Sequence, residues 1–163
     1  MAGTTPLYLS GILVGPGSIT QGAVISEWQL YTPSAYNGIA PTSPAFMWKR
    51  DGSDILIMGS FTTAGIDGVN SVGIKLPPNL TVGTIAASGF SAFGRYTANN
   101  ASLPKVGNIA ASTSFSPTFF FLDDNANSLP AGTAILDPGA VVAIDARIPI
   151  AEWAGNGTSV TLG

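Results

Sequence analysis

The side chains of this chain that could do chemistry are acids, and they come in pairs. Asp51 and Asp54 flank Gly52 and Ser53, while Asp123 and Asp124 are adjacent at the end of a phenylalanine run. Two carboxyl groups facing a sugar across roughly 5 to 9.5 Å are what glycoside hydrolysis requires, one as acid and the other as base or nucleophile. Turn chemistry explains the first pair more simply: Lys49, Arg50, Asp51 and Asp54 would satisfy one another around an Asp-Gly turn. The second pair opens Asp123-Asp124-Asn125-Ala126-Asn127, which matches the start of a calcium loop with oxygen ligands at alternate positions. The match stops at Ser128, where such a loop needs glycine, and at Ala134, where a bidentate glutamate should close it. A polar turn leaving the phenylalanine-rich stretch is the plainer reading. Histidine and cysteine are both absent. Ser-His-Asp and Cys-His machinery, thiolate zinc sites and disulfides are therefore closed to the chain. Gly15-Pro16-Gly17 and Gly155-Asn156-Gly157 lack the lysine and the strand-to-helix setting of a phosphate cradle, so they read as turns. Tyr36, Tyr96 and the tryptophans have rings that could stack on a sugar, although burial is the commoner fate of such rings in a β-sandwich. No catalytic, cofactor or metal residue is assigned.

Composition narrows the partners. At 163 residues the chain has the size of one domain. Charged residues make up 9% of it, against about 25% in a typical soluble domain, which predicts that part of the surface is covered. The net charge is −3, and the six basic residues are scattered from Lys49 to Arg147. That leaves no basic stripe for phosphates, and nucleic acid is not an expected partner. The segment from Leu7 to Ile25 carries no charge, but Gly11, Gly15, Pro16, Gly17 and Gly22 interrupt it and no Lys or Arg precedes it. It therefore reads as an extended arm rather than a membrane span or signal peptide.

Short strands dominate the remainder. Twenty Gly and twelve Pro supply turn punctuation, and little helix is predicted. Residues 27–33 alternate Trp28, Leu30 and Thr32 against Gln29 and Tyr31, predicting a first strand with one buried face. A Pro- and Gly-rich loop should follow. Phe46 and Trp48 then share one side of a second strand over residues 44–49, which Asp51-Gly52 reverses into a third. There Ile55, Ile57, Gly59 and Phe61 face one way, while Leu56, Met58 and Ser60 face the other; both faces are apolar enough to predict cover on each. Val72, Ile74 and Leu76 form another inward set. Around residues 115–122, Phe119 and Phe121 oppose Phe120 and Leu122. A strand apolar on both faces needs a sheet on one side and a second layer or another subunit on the other. In the last long strand, residues 140–150, Val142, Ile144, Ala146 and Ile148 point inward, with Ala143, Asp145 and Arg147 outward and Pro149 at an edge or strand end. About eight to ten strands at regular spacing predict an all-β sandwich or jelly roll.

Several of these pieces, in order, resemble one known module. Trp48-x-Arg50-x-Gly52, the strand ending Gly59-x-Phe61-Thr62, then Ile74-x-Leu76-Pro77-x-Asn79-Leu80-Thr81, and Ala146-Arg147-Ile148-Pro149-Ile150-x-x-Trp153 are similar to the C1q/TNF-like jelly-roll domain of bacteriophage structural proteins. The leading Glu27-Trp28-x-x-Tyr31-Thr32-Pro33 resembles the entry to that domain. The resemblance divides the chain into an extended N-terminal attachment arm, residues 1–25, and a jelly-roll β-sandwich, residues 26–163. It implies a non-enzymatic virion structural protein, a homotrimer acting as a capsid decoration (cement) protein. Its partners would be itself and the major capsid protein, and its place the outer capsid surface. Only about 25 residues precede the module, which suits a free-standing trimer on a shell better than the end of a long fibre shaft. The alternative is the receptor-binding tip of a tail fibre recognising a host surface glycan through loops such as 94–105 and 123–131. On the decoration reading, Leu7, Leu9, Ile12 and Val14 attach to the capsid, and Phe119, Phe120 and Phe121 hold the trimer together. No cofactor and no membrane enter either reading.

Overall fold

The computed structural model describes residues 26–83, 91–113, 116–124 and 129–154. The strands are β1 (Gln29–Tyr31), β2 (Tyr36–Asn37), β3 (Ile39–Asp51), β4 (Asp54–Ile66), β5 (Gly73–Lys75), β6 (Ser91–Asn99), β7 (Lys105–Ser112), β8 (Ser116–Asp123) and β9 (Val141–Pro149). Among the described residues helix is confined to the single turn α1 (Gly132–Ile135) and a 3-10 turn, Ala151–Trp153, in keeping with the lack of a helical apolar period. All nine strands form one antiparallel sheet in the order β1-β3-β4-β9-β6-β7-β8-β5-β2. β2 lies at one edge and β3 next to the other, yet only Gly38 separates them in the chain. The sheet therefore curls until the chain steps from one side to the other through Gly38, producing an all-β, jelly-roll-like sandwich.

That corner depends on glycine. Gly38 has φ of 69°, and a Cβ there would lie 2.5 Å from the Ser71 carbonyl oxygen and 2.7 Å from that of Asn70. The Asp67 amide closes the corner by donating to the Gly38 carbonyl at 2.8 Å.

Inside the curl, period-two alternation delivers one apolar set from each strand to a single core. Ile55, Ile57 and Phe61 of β4, Ile109 of β7, Phe120 and Leu122 of β8, and Val142 and Ile148 of β9 are all buried. Each aliphatic or aromatic side chain taken fully out of water contributes about 1.5 to 3 kcal/mol. Gly59 faces Phe46 across the β3–β4 ladder, and the Phe46 ring lies over it where a Cβ would stand. The bare backbone makes the space into which that ring packs.

The structure corrects one reading and decides two that were open. β1 turns its Tyr31 face inward: Leu30 is 83% exposed, whereas Tyr31 packs against the core and pairs with buried Phe46. The loop predicted after β1 is mostly strand, because β3 begins at Ile39 and takes in Pro41 and Pro44 through two register shifts, with Ser43 at φ 50°. Pro149 ends β9, but β9 is a central strand between β4 and β6, so the proline marks an end and not an edge.

Candidate interaction surface

The hairpin joining β3 to β4 was the sequence's densest group of charges, and its partners are not the expected ones. Gly52 takes the first turn position at φ 67°, the placement favoured in a two-residue hairpin loop. Its acids turn to β9. The Arg147 guanidinium lies 3.3 Å from Asp51 through Nη2 and donates from Nε to Asp54 at 2.6 Å. The hairpin's own cations lie on rings: Lys49 Nζ is 5.1 Å from the centre of Trp28, and the Arg50 guanidinium is 4.9 Å from that of Trp153. Arg50 also donates from Nε to the Gly52 carbonyl at 2.7 Å. Trp153 stacks on Trp48 at 6.1 Å, so the 3-10 turn covers that end of the core. The predicted mutual pairing of Lys49, Arg50, Asp51 and Asp54 is thus replaced by a cross-sheet ion pair and two cation–π contacts.

Asp51 and Asp54 share one cation. Three further acids are held in their charged form by local hydrogen bonds. Asp67 is held below the usual carboxylate range by the Asn70 side chain and nearby amides, and Asp137 by the Ser102 hydroxyl and amide. Glu152 is pushed up by burial but held lower overall by the Thr81 hydroxyl and amide. A general acid in glycoside hydrolysis needs the opposite shift. Among the described residues, no group of three or more acids is placed to hold a metal ion. Of the calcium-like stretch 123–134, read as a polar turn, residues 125–128 lie outside the described residues, and Asp123 is buried at the end of β8. Of the rings proposed for sugar stacking, Tyr96 is buried and Trp48 and Trp153 cover each other, while Trp28 is exposed beneath Lys49. The hydroxyls of Tyr31 and Tyr36 are buried without a hydrogen-bond partner among the described residues.

The unusual surface lies on the outside of the sheet. In register, Leu30 of β1 stands beside Met47 of β3, Met47 beside Met58 of β4, and Met58 beside Asp145 of β9. The row continues to Arg95 of β6 and Asn108 of β7. Its first three members are 83%, 37% and 43% exposed. Val141 and Val106, on the β9–β6–β7 side of the same face, are also exposed. The charges on this face are Lys49, Arg95 and Arg147 against Asp51, Asp54 and Asp145, three of each sign. Arg147 already holds two of the acids, and Arg95 and Asp145 are register partners. The face is neutral, with alanine, serine and threonine between its apolar residues.

The predicted trimer residues divide. Phe120 is wholly buried in the core, and Phe121 is 2% exposed on the other side of β8, its ring packed where a Gly73 side chain would stand. Both are therefore occupied within one chain. Phe119, half-buried and stacked on Phe121 at 6.2 Å, is the one with surface to offer. The predicted attachment residues Leu7, Leu9, Ile12 and Val14 lie outside the described residues. Sequence reasoning missed the Leu30–Met47–Met58 row: it put Met58 on the face opposite Ile55, Ile57 and Phe61 but left open which face of the first strand is buried. Among the described residues no helix is long and apolar enough to cross a membrane. Comparison of the chain with protein-family models, with curated proteins and with solved structures returns no match.

Proposed function

We propose that this chain is a non-enzymatic structural protein of a bacteriophage particle, a homotrimer that decorates and reinforces the outer surface of the capsid. The observation that carries the reading is the neutral outer sheet face, with exposed Leu30, Met47 and Met58 in one row. A face of that kind offers area to another protein surface. The uncharged arm, residues 7–25, would supply attachment to the major capsid protein through Leu7, Leu9, Ile12 and Val14. Several arms on one oligomer make the second and third contacts local events at high effective concentration.

The test is addition of the purified protein to undecorated capsids, with and without residues 1–25. Saturable binding that raises the temperature at which the capsids rupture, and that is lost without the arm, is the expected result. Binding to host cells or to a glycan array, with none to capsids, would replace this reading with that of a receptor-binding tip.

A further inference from the structure

We infer that in the free protein the apolar segment Leu7–Val14 covers the exposed patch of Trp28, Leu30, Met47 and Met58 on its own chain, and leaves that seat when the arm engages a shell. The seat stands without the function proposed above; only the release rests on it. Position is the first argument. The Ser26 amide donates to the Arg50 carbonyl at 3.1 Å, and the Arg50 amide donates to the Ser26 hydroxyl at 2.7 Å, so the root of the arm is fixed to the end of β3. Trp28 and Leu30 follow within four residues, 40% and 83% exposed. Met47 is the register partner of Leu30, and Met58 that of Met47. The patch therefore begins where the arm begins.

Size selects the kind of occupant. Three strands about 4.8 Å apart, with two exposed positions along β1, give roughly 200 Å² of patch. Each partner in a stable interface contributes about 800 Å², so a separate molecule seated on this patch alone would not stay. A segment of the same chain is present at an effective concentration of about a millimolar, where a few contacts suffice. Reach is ample. Leu7–Val14 stands 12 to 19 residues before Ser26, a span of up to about 40 to 60 Å, and Met58 lies only two strands, about 10 Å, from β1. The chemistry matches as well: Leu7 to Ile25 carries no charge, and Leu7 with Leu9, then Ile12 with Val14, have the spacing that puts each pair on one side of an extended chain. Methionine's flexible thioethers adapt to such side chains. The same four residues cannot hold the patch and a shell together, so attachment uncovers the row for contacts made on the particle.

The chain has no cysteine, so a single introduced thiol reports its own exposure. Maleimide labelling of Met58→Cys should be compared in the full chain and in the full chain carrying Leu7→Ser, Leu9→Ser, Ile12→Ser and Val14→Ser, with circular dichroism unchanged. A seat occupied about nine-tenths of the time makes labelling about tenfold faster in the serine variant. Val69→Cys, 85% exposed beyond the opposite end of β4, should label equally in both. The difference should be the same at about 0.5 μM as at about 50 μM, as a contact within one chain requires. Equal labelling of Met58→Cys with and without the serines would overturn the inference, and protection lost on dilution would overturn it in favour of another copy's arm. Chains that bind capsids but show no protection would sink only this inference, whereas protection without capsid binding would sink the proposed function and leave the seat standing.

Discussion

At the scale of single residues, the least expected features are polar groups without partners and a charge network with distant ones. Burial raises the phenol pKa of Tyr31, with Tyr36 adding to the effect, and burial also raises that of Tyr36. Neither hydroxyl has a hydrogen-bond partner among the described residues. A buried hydroxyl that has lost water and gained no bond costs about 1 to 3 kcal/mol. Tyr31→Phe should therefore stabilise the fold by about 1 kcal/mol in denaturant titration, and a loss of comparable size would show that the hydroxyl has a partner. Tyr96 is pushed up to about 12 by burial, with Asp124 and Asp123 adding to the shift. Its folded form keeps the proton that the unfolded chain releases near pH 10, so stability is full below pH 10 and falls as pH rises towards 12. The slope for one such group is at most about 1.4 kcal/mol per pH unit. Melting temperature should drop over that window, and Tyr96→Phe should make the drop shallower. Arg147 shows where sequence reading stops at this scale. Lys49 and Arg50 were the cations nearest Asp51 and Asp54 along the chain, whereas the ladder places Arg147 beside Leu56 and within reach of both acids. Local spacing contains no trace of that register.

At the scale of elements, what the sequence disclosed follows from how many neighbours each strand has. β9 is flanked by β4 and β6, and its alternation was legible residue by residue because one face must fill the core. β1 is a three-residue edge strand held by β3 alone. Its facing is dictated by Phe46 and Trp48, which pair with Tyr31 and Gln29, and not by the greater hydrophobicity of Leu30 and Trp28. Two glycines of positive φ offer a graded test of what holds these elements in place. Gly139 and Gly38 both have positive φ, but a Cβ at Gly139 would meet nothing within 4 Å whereas Gly38 is hemmed in by backbone carbonyls. Gly139→Ala should cost about 1 kcal/mol, the usual strain of a side chain in that region. Gly38→Ala adds a collision at the corner where the sheet closes and should cost at least about 2 kcal/mol more. Equal losses would mean that the corner is soft and that β2 can leave β5 without opening the core.

At the scale of the molecule, salt distinguishes the kinds of surface this chain could use. An oligomer held by unlike net charges loosens as ionic strength rises, because the Debye length shrinks from about 30 Å at 0.01 M to 3 Å at 1 M. The outer face has no net charge, and its exposed large apolar groups include Leu30, Met47, Met58, Val106 and Val141. The whole chain carries −3, so copies brought together repel weakly at long range, and screening removes that repulsion. Sodium sulfate goes further, since it strengthens apolar burial by exclusion from protein surfaces. Sedimentation equilibrium from 0.05 to 0.5 M NaCl should therefore find association unchanged or up to a few-fold tighter, and tighter again in sulfate. Capsid binding through an uncharged arm should follow the same trend, so both halves of the proposed assembly survive high salt. A tenfold or greater loss of self-association over that range would place the contact on the chain's unpaired charges instead.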